Sequence, residues 1–253
     1  MVLENFRKKL DLFFDPMTRL LSPIHPDVFS TLSFIFALIA GFFYGWSDLW
    51  IWDGPYGDWP LFIALAFVFI GLNSLADTLD GRIARYTGKT SKTGDFLDHT
   101  FDRFSDVAIL VGISLSPYCN TTFGLIAVVF VLLSSYMGTQ AQALGCGRNY
   151  SGVMGRADRM VLLMFITIFQ FVVQAGWAVH GIWIDTLGIR IVPLEVAMGI
   201  MLIGGVLTVI TRGVDTYKAL NSEKGSEKKD EKGPNRTRSV TNTRSRSGPR
   251  RPL

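Results

Sequence analysis

Four aspartates stand out in this sequence because they come in two closely spaced pairs. Asp77 and Asp80 lie three residues apart after an apolar run, and Asp98 and Asp102 lie four residues apart where the next run begins. Side chains at i and i+3 or i+4 share one face of a helix. A short basic connection makes the two helices antiparallel neighbours, so the spacing predicts that all four carboxylates converge on one point.

A cluster of four carboxylates needs cations, because like charges at close range in a low dielectric oppose ionisation. Oxygen ligands without Cys or a well-placed His suit hard divalent cations. We therefore expect the cluster to hold Mg²⁺ or Mn²⁺, as two ions that bind phosphate oxygens for an in-line displacement. The alternative is that the aspartates cap helices and pair with nearby arginines, namely Arg82, Arg85 and Arg103.

The elements that must position these carboxylates are apolar helices. Apolar residues make up 49% of the chain, in uninterrupted runs near the length that crosses a hydrocarbon core of roughly 30 Å. The runs cover 28–46, 61–77, 96–115, 123–144, 160–179 and 192–210. They predict an all-α fold, an integral membrane bundle of six transmembrane helices.

Two segments flank the bundle. Residues 1–21 place Leu and Phe at helical spacing between Lys and Arg, which predicts an amphipathic helix in the membrane interface or on the protein's own surface. Residues 221–253 contain ten Lys and Arg against four acids, leaving 15 bases and 17 acids in the body. We therefore expect a membrane domain over 1–220 and a disordered basic cytoplasmic tail over 221–253.

The distribution of basic residues predicts the orientation. The connections at 47–60, 116–122 and 180–191 contain a single base, Arg190, whereas the other set is rich in Lys and Arg. By the positive-inside rule, both termini and the aspartates of this multi-pass cell-membrane protein face the cytoplasm. Cys119 and Cys146 then fall on opposite sides, so we expect no disulfide between them.

The stretch from Asp77 to Asp102 reads D-x2-D-G-x2-A-R-x8-G-x3-D-x3-D. It resembles the signature of the CDP-alcohol phosphotransferase family at all eight fixed residues. The resemblance implies transfer of a phosphatidyl-type group from a CDP-linked lipid to an alcohol, with release of CMP. It also implies that Asp77, Asp80 and Asp98 hold the metals, and that Asp102 is both a shared ligand and the general base.

The same resemblance implies the contacts of the CDP-linked lipid. The stretch 26–30 is similar to the family's Pro-Asn/Asp-x-x-Ser/Thr element, and residues within the signature match its cytidine and diphosphate contacts. The implied set is Asp27, Ser30, Gly81, Ala84, Arg85, Ser91 and Gly94. The resemblance further implies a homodimer, and we expect no nucleic-acid partner.

Three arginines are candidates for binding the acceptor. Arg156 and Arg159 lie one turn apart where the fifth span begins, and Arg148 precedes them. Guanidinium groups bind phosphate bidentately, so they suit a phosphorylated alcohol such as inositol phosphate or glycerol phosphate. The alternative is that these arginines only anchor the cytoplasmic start of the helix, as the positive-inside rule expects, and do not bind the acceptor. The segment 136–159 resembles the family's inositol-phosphate branch, and the run 138–143 its archaeal members, which implies an archaetidyl donor.

Other interpretations stay open on the sequence. A phosphatidylglycerophosphate-type synthase would use glycerol phosphate. A membrane prenyltransferase normally has two separated acidic clusters and more spans. An Asp-lined cation transporter would have inverted repeats and broken helices near the midplane. Outside the signature, we interpret the histidines as structural, and Asp95 and Asp106 as arginine partners or helix caps.

Overall fold

The computed structural model describes residues 2–47, 60–147, 151–177, 181–184 and 189–231. Within these residues the fold is helical apart from one short hairpin. The elements are α1 (Val2–Leu21), α2 (Pro26–Gly45), α3 (Leu61–Thr87), α4 (Lys92–Leu115), α5 (Thr121–Ala143), α6 (Arg156–Trp177), β1 (Ile182–Ile184), β2 (Ile189–Ile191) and α7 (Pro193–Glu231).

Among the helices of the described residues, five are long and apolar enough to cross a membrane: α2, α3, α5, α6 and α7. The predicted span 96–115 is also helical, as α4. This helix contains Asp95, Asp98, Asp102 and Asp106, so α4 is too highly charged to count among these five. The prediction of a helical membrane protein is confirmed, whereas the count of six spans is not. The acidic residues that could serve chemistry in α4 also make this helix less apolar than the other spans.

Helix α2 lies between α3 and α4, because these two helices each pack mainly against α2 rather than against each other. Where α2 meets α4, a Cβ atom at Gly112 would overlap the backbone of Gly41, and one at Gly41 would overlap the carbonyl of Ala108. Small residues allow such close contact between membrane helices. The expectation that α3 and α4 pack directly on each other is therefore wrong, although their side chains do meet.

The bundle has two polar ends. The aspartate end comprises the starts of α2, α4 and α6 and the end of α3. At the opposite end, which we call the far end, buried neutral groups pair across helices. Tyr44 hydrogen-bonds Thr167, and the Tyr118 hydroxyl donates to Oε1 of Gln174 at 2.7 Å. Pairing of this kind satisfies polar groups that have no access to water.

Helix α1 is amphipathic, as predicted, and it has two apolar faces with different surroundings. One face packs Phe14, Met17 and Leu21 against Phe29, Leu79 and Ile83. The other exposes Leu12, Phe13 and Leu20. Arg82 of α3 fastens α1 through Asp11 and Asp15, with its guanidinium 4.9 Å from the Phe14 ring centroid. The predicted position in the membrane interface stays a prediction.

The hairpin β1–β2 was not predicted. Its strands are antiparallel and have only three residues each, with Ile182 opposite Ile191 and Ile184 opposite Ile189. The alternation of Ile within 182–184 and 189–191 was the available signal. It lies in the connection 180–191, whose charge was used to predict the orientation and whose alternation was not considered. Strands this short give little periodicity to detect.

The end of the chain does not test the predicted tail. Helix α7 continues past Asn221 to Glu231, and residues 232–253 lie outside the described part of the chain. The disordered tail and the boundary at residue 220 therefore stay predictions. The cysteines are free, with Cys119 buried and Cys146 partly buried, which confirms that they do not form a disulfide. Burial raises the pKa of the Cys119 thiol to about 11.

Candidate active site

The turn between α3 and α4 brings the two aspartate pairs to the same end of the bundle. Gly88 ends α3 in the left-handed region, with φ of 68°, a conformation that glycine adopts without strain. Ser91 then caps α4, its Oγ accepting a hydrogen bond from the amide of Gly94 at 2.9 Å. The chain reverses within a few residues, and the carboxylates meet around the start of α2.

The aspartates form two overlapping groups. Asp77, Asp80 and Asp98 each offer a carboxylate oxygen, and these atoms lie within 4.8 Å of one another. Asp98 also groups in the same way with His99 and Asp102. Oxygen atoms converging this closely suit a hard divalent cation such as Mg²⁺ or Mn²⁺. The residues present therefore fit the metal that the sequence predicts.

Asp80 is the most buried of the four, with 5% of its surface exposed. Its Oδ2 accepts a hydrogen bond of 2.7 Å from the hydroxyl of Ser30, in the first turns of α2. Hydrogen bonds to a carboxylate hold it in one orientation and favour its charged form. Ser30, predicted as a contact of the CDP-linked lipid, thus also orients a candidate metal ligand.

Arg156 lies directly against the aspartates. Its Nη1 is 2.7 Å from Oδ2 of Asp77 and 2.8 Å from Oδ1 of Asp102. Arg159, one turn further along α6, is buried and places its Nη2 2.6 Å from Oδ2 of Asp106. Both arginines therefore belong to the same polar cluster as the aspartates. Arg148, the third predicted acceptor residue, lies outside the described residues.

The other arginines considered as partners of the aspartates are placed differently. Arg82 pairs with Asp11 and Asp15 of α1. Arg103 approaches Asp102 only to 4.0 Å. The pairing alternative is therefore supported for Arg103, through this long ion pair with Asp102, and not for Arg82. The guanidinium that contacts two of the four carboxylates belongs to Arg156, which is remote in the sequence.

A cavity of about 200 Å³ opens beside the aspartates, between the start of α2, the end of α3 and the start of α4. All seven residues predicted to contact the CDP-linked lipid line it, together with Asp80 and Asp98. The predicted residues are Asp27, Ser30, Gly81, Ala84, Arg85, Ser91 and Gly94. Lys89 and Thr90 line it as well and were not predicted. We call this space the donor cavity.

Two glycines line the donor cavity. A Cβ atom at Gly94 would lie 3.2 Å from the Ser91 hydroxyl and 3.5 Å from Oδ1 of Asp27, so a side chain there would crowd the hydroxyl that caps α4. One at Gly81 would lie 3.5 Å from Nη1 of Arg85, which is an ordinary van der Waals contact.

Residues outside the signature complete the site. Asp106 pairs with Arg159, which confirms its interpretation as an arginine partner. Asp95 pairs instead with His99: Oδ1 of Asp95 lies 3.2 Å from Nε2 of His99. His99 therefore lies at the aspartate cluster, whereas His25 caps α2. His180 lies outside the described residues.

Known proteins of similar sequence and fold include inositol-lipid enzymes. The phosphatidylinositol phosphate synthase of Cutibacterium acnes is 28% identical over 229 residues, covering 87% of this chain and 100% of that protein. The archaetidylinositol phosphate synthase of Pyrococcus horikoshii is 34% identical over 108 residues, covering 43% of this chain and 57% of that protein.

Among solved structures, the fold resembles that of the Mycobacterium tuberculosis phosphatidylinositol phosphate synthase with CDP-DAG bound. The TM-score is 0.61 at 22% identity, covering 80% of this chain and 92% of that chain. The same enzyme in complex with manganese and citrate gives a TM-score of 0.60 at the same identity, covering 80% of this chain and 88% of that chain.

The match to the family extends across the bundle. Residues 24–210 match the family model described as CDP-alcohol phosphatidyltransferase. This range includes both aspartate pairs, the donor cavity, Arg156 and Arg159. The family resemblance stated from the signature is thereby confirmed, and the prenyltransferase and transporter interpretations are wrong. This chain belongs to the CDP-alcohol phosphatidyltransferase family.

Proposed function

We propose that this chain transfers a phosphatidyl-type group, of the archaetidyl kind, from a CDP-linked lipid to inositol phosphate and releases CMP. The observation that carries the proposal is the arrangement around the aspartates. The donor cavity borders Asp80 and Asp98, while Arg156 contacts Asp77 and Asp102 of the same cluster. A donor and a phosphorylated acceptor can therefore meet at one set of carboxylates.

The donor cavity suits a nucleoside diphosphate. Arg85 and Lys89 line it and offer positive charge to the diphosphate, and Asp27 offers hydrogen-bond acceptors to the base. Asp77, Asp80, Asp98 and Asp102 would hold Mg²⁺ or Mn²⁺, as two ions, whose charge when bound polarises the phosphoryl oxygens. The similar mycobacterial enzyme, solved with CDP-DAG and with manganese, supports both assignments.

Asp102 is the proposed general base. Its side chain is 13% exposed, and its Oδ1 lies 2.8 Å from Nη1 of Arg156. It takes the proton from the acceptor hydroxyl as that oxygen bonds to the lipid-side phosphorus. The bond from this phosphorus to the bridging oxygen breaks, and CMP leaves with that oxygen. A carboxylate placed at the reacting hydroxyl contributes about 10²- to 10⁴-fold to such a step.

Arg156 and Arg159 are the proposed contacts for the acceptor's phosphate. Arg156 is the more accessible of the two, since Arg159 is almost fully buried against Asp106. Guanidinium groups provide paired donors that match phosphate oxygens. The relatives named as phosphatidylinositol phosphate and archaetidylinositol phosphate synthases favour inositol phosphate over glycerol phosphate as the acceptor. The resemblance of residues 138–143 to archaeal members favours the archaetidyl donor.

The test is CMP release by purified protein with Mg²⁺ or Mn²⁺ and a matrix of substrates. The donors are CDP-archaeol and CDP-diacylglycerol, and the acceptors are inositol phosphate, glycerol phosphate and unphosphorylated inositol. We expect the highest kcat/KM for CDP-archaeol with inositol phosphate. Release with glycerol phosphate alone would overturn the acceptor, and equal or better turnover of CDP-diacylglycerol would overturn the donor. Absence of release with every alcohol would overturn the activity itself.

We further propose that both termini and the site face the cytoplasm and that the protein is a homodimer. In a variant whose two cysteines are replaced by serine, single cysteines are introduced at Asn120 and Ser222, both exposed and at opposite ends of the bundle. In intact cells an impermeant maleimide should label Asn120→Cys and not Ser222→Cys. The reverse pattern would overturn the orientation, and a monomer mass by light scattering in detergent would overturn the dimer.

A further inference from the structure

Asp106 lies one turn beyond Asp102 on α4, outside the signature and away from the donor cavity. It is 1% exposed. Its Oδ2 is 2.6 Å from Nη2 of Arg159, and its Oδ1 is 3.6 Å from Nε of Arg156. One buried carboxylate therefore lies between the two guanidinium groups that are proposed to bind the acceptor.

Stability alone does not explain why Asp106 and Arg159 form a buried ion pair. A buried ion pair loses the hydration of both charges, and apolar residues of similar volume often stabilise a protein equally well. Three of the buried polar atoms here also lack a hydrogen-bond partner among the described residues: Oδ1 of Asp106, Nε of Arg156 and Nε of Arg159. The first two face each other at 3.6 Å, in an ion pair that is longer than a hydrogen bond. Buried donors and acceptors without a hydrogen bond are costly, so their concentration at one place favours a role in holding a ligand.

Arg156 faces three carboxylates, and they are not equivalent. Asp77 and Asp102, at 2.7 and 2.8 Å, belong to the proposed metal ligands. Asp106, at 3.6 Å, does not. A divalent cation and a guanidinium compete for the same carboxylate oxygens because both are attracted by their negative charge. Asp106 is thus the carboxylate that can keep Arg156 in place without using an oxygen that the metal needs.

We propose that Asp106 is a positioning residue that holds Arg156 and Arg159 side by side for the phosphate of the acceptor and draws Arg156 away from the metal ligands. This inference rests on the proposed function of the two arginines. Asp106 does not line the donor cavity, and its ion pairs are with Arg156 and Arg159. Its effect is therefore exerted through the arginines.

The first experiment compares steady-state kinetics of the Asp106→Asn variant, which keeps the shape and removes the charge, with those of the unmodified protein. We expect the KM for inositol phosphate to rise about tenfold, the loss of one charge-assisted contact, while the KM for the CDP-linked lipid changes less than twofold. The matched control is Glu195→Gln, which removes one carboxylate charge at the far end, where Glu195 accepts a hydrogen bond from the amide of Asn120. It should leave both KM values unchanged.

The second experiment measures Mn²⁺ binding by electron paramagnetic resonance without substrates. With Asp106 neutral, Arg156 should bind Asp77 and Asp102 more firmly, so the Kd for Mn²⁺ should rise several-fold. In the Arg156→Ala background the same Asp106→Asn change should have less than a twofold effect, because the competing guanidinium is gone. A double-mutant cycle of this kind isolates the coupling between the two residues.

The outcomes separate this inference from the proposed function. If Arg156→Ala raises the acceptor KM and Asp106→Asn does not, the positioning role is wrong and the acceptor site stands. If Arg156→Ala also leaves the acceptor KM unchanged, the acceptor site itself is wrong. Equal increases in both KM values would show a merely structural role and overturn the inference.

A second pair of variants keeps the test available if Asp106→Asn does not fold. Asp106→Glu retains the charge and should restore the acceptor KM to within about threefold, which is a fraction of one charge-assisted contact. Arg159→Lys retains the charge of its partner but loses the planar fork, so it should raise the acceptor KM selectively. Failure of Arg159→Lys to do so would overturn the inference.

Discussion

The two ends of this bundle bury polar groups in opposite ways. At the far end neutral buried groups pair with one another, as Tyr118 does with Gln174 and Tyr44 with Thr167. At the aspartate end they are charged, and the carboxylates outnumber the guanidinium groups that contact them. The charged residues that contact or group with one another in this cluster are Asp77, Asp80, Asp98, Asp102, Asp106, Arg103, Arg156 and Arg159.

The difference indicates which polar groups hold the helices together and which serve chemistry. Neutral pairs at the far end are complete within the bundle, so they leave nothing for a ligand to satisfy. The excess of carboxylates at the aspartate end leaves oxygens that require cations from outside the chain. Changes to polar side chains at the aspartate end should therefore alter binding and turnover, whereas changes to polar side chains at the far end should alter stability alone.

The largest effect should follow from Asp102→Asn. The amide keeps the shape of the carboxylate but cannot take the acceptor's proton, so CMP release should fall about 10²- to 10⁴-fold. Binding of the CDP-linked lipid should remain detectable by calorimetry, because Asp102 does not line the donor cavity. The far-end variant Glu195→Gln is the control and should turn over normally. A near-normal rate for Asp102→Asn would contradict its assignment as the base.

The next effect should follow from Ser30→Ala, which removes the hydroxyl that donates a hydrogen bond to Asp80. A hydrogen bond to a charged group contributes about 1.5–3 kcal/mol, which corresponds to roughly tenfold or more in affinity. We expect this loss in the Kd for Mn²⁺, measured by electron paramagnetic resonance. The control is Ser33→Ala, because the Ser33 hydroxyl bonds only the carbonyl of Ser30 in its own helix. Equal Mn²⁺ affinity in both variants would show that Ser30 does not orient a ligand.

Much of this arrangement could be predicted from local sequence. The apolar runs marked the helices, and the i, i+3 and i, i+4 spacing placed each aspartate pair on one face. What could not be predicted depends on residues far apart in the chain. Ser30 and Asp80 are 50 positions apart, and Asp106 and Arg159 are 53. No local pattern pairs them, because the packing of whole helices brings them together.

The position of α2 between α3 and α4 is the clearest example of such packing. The short connection predicted that α3 and α4 pack directly on each other, but the backbone contact of Gly41 with α4 makes α2 the partner of both. A glycine within an apolar run gives no indication of which helix it will meet. The convergence of the carboxylates was therefore predicted correctly for an incomplete reason.

Gly112→Ala tests whether the close packing of α2 on α4 maintains the structure at both ends of the bundle. The added Cβ would overlap the backbone of Gly41, which cannot move aside as a flexible side chain does, and overpacking of this kind costs about 1–3 kcal/mol. We expect a lower Tm by thermal unfolding in detergent and a loss of turnover. The control is Gly71→Ala, where a Cβ would lie 3.9 Å from the flexible end of Met164. Equal Tm values for the two variants would contradict the close packing of α2 on α4.

The smallest effect should follow from Tyr118→Phe, and it completes the comparison of the two ends. The change removes a buried hydroxyl that donates to Gln174 at 2.7 Å, an interaction that contributes about 0.6 kcal/mol on average between membrane helices. Thermal unfolding should show a small fall in Tm, while kcat, both KM values and the Kd for Mn²⁺ stay unchanged. Ser30→Ala removes a hydroxyl in the same way at the other end, with the opposite expected pattern. If Tyr118→Phe lowers Mn²⁺ affinity as Ser30→Ala does, the separation between a structural and a chemical end of this bundle is wrong.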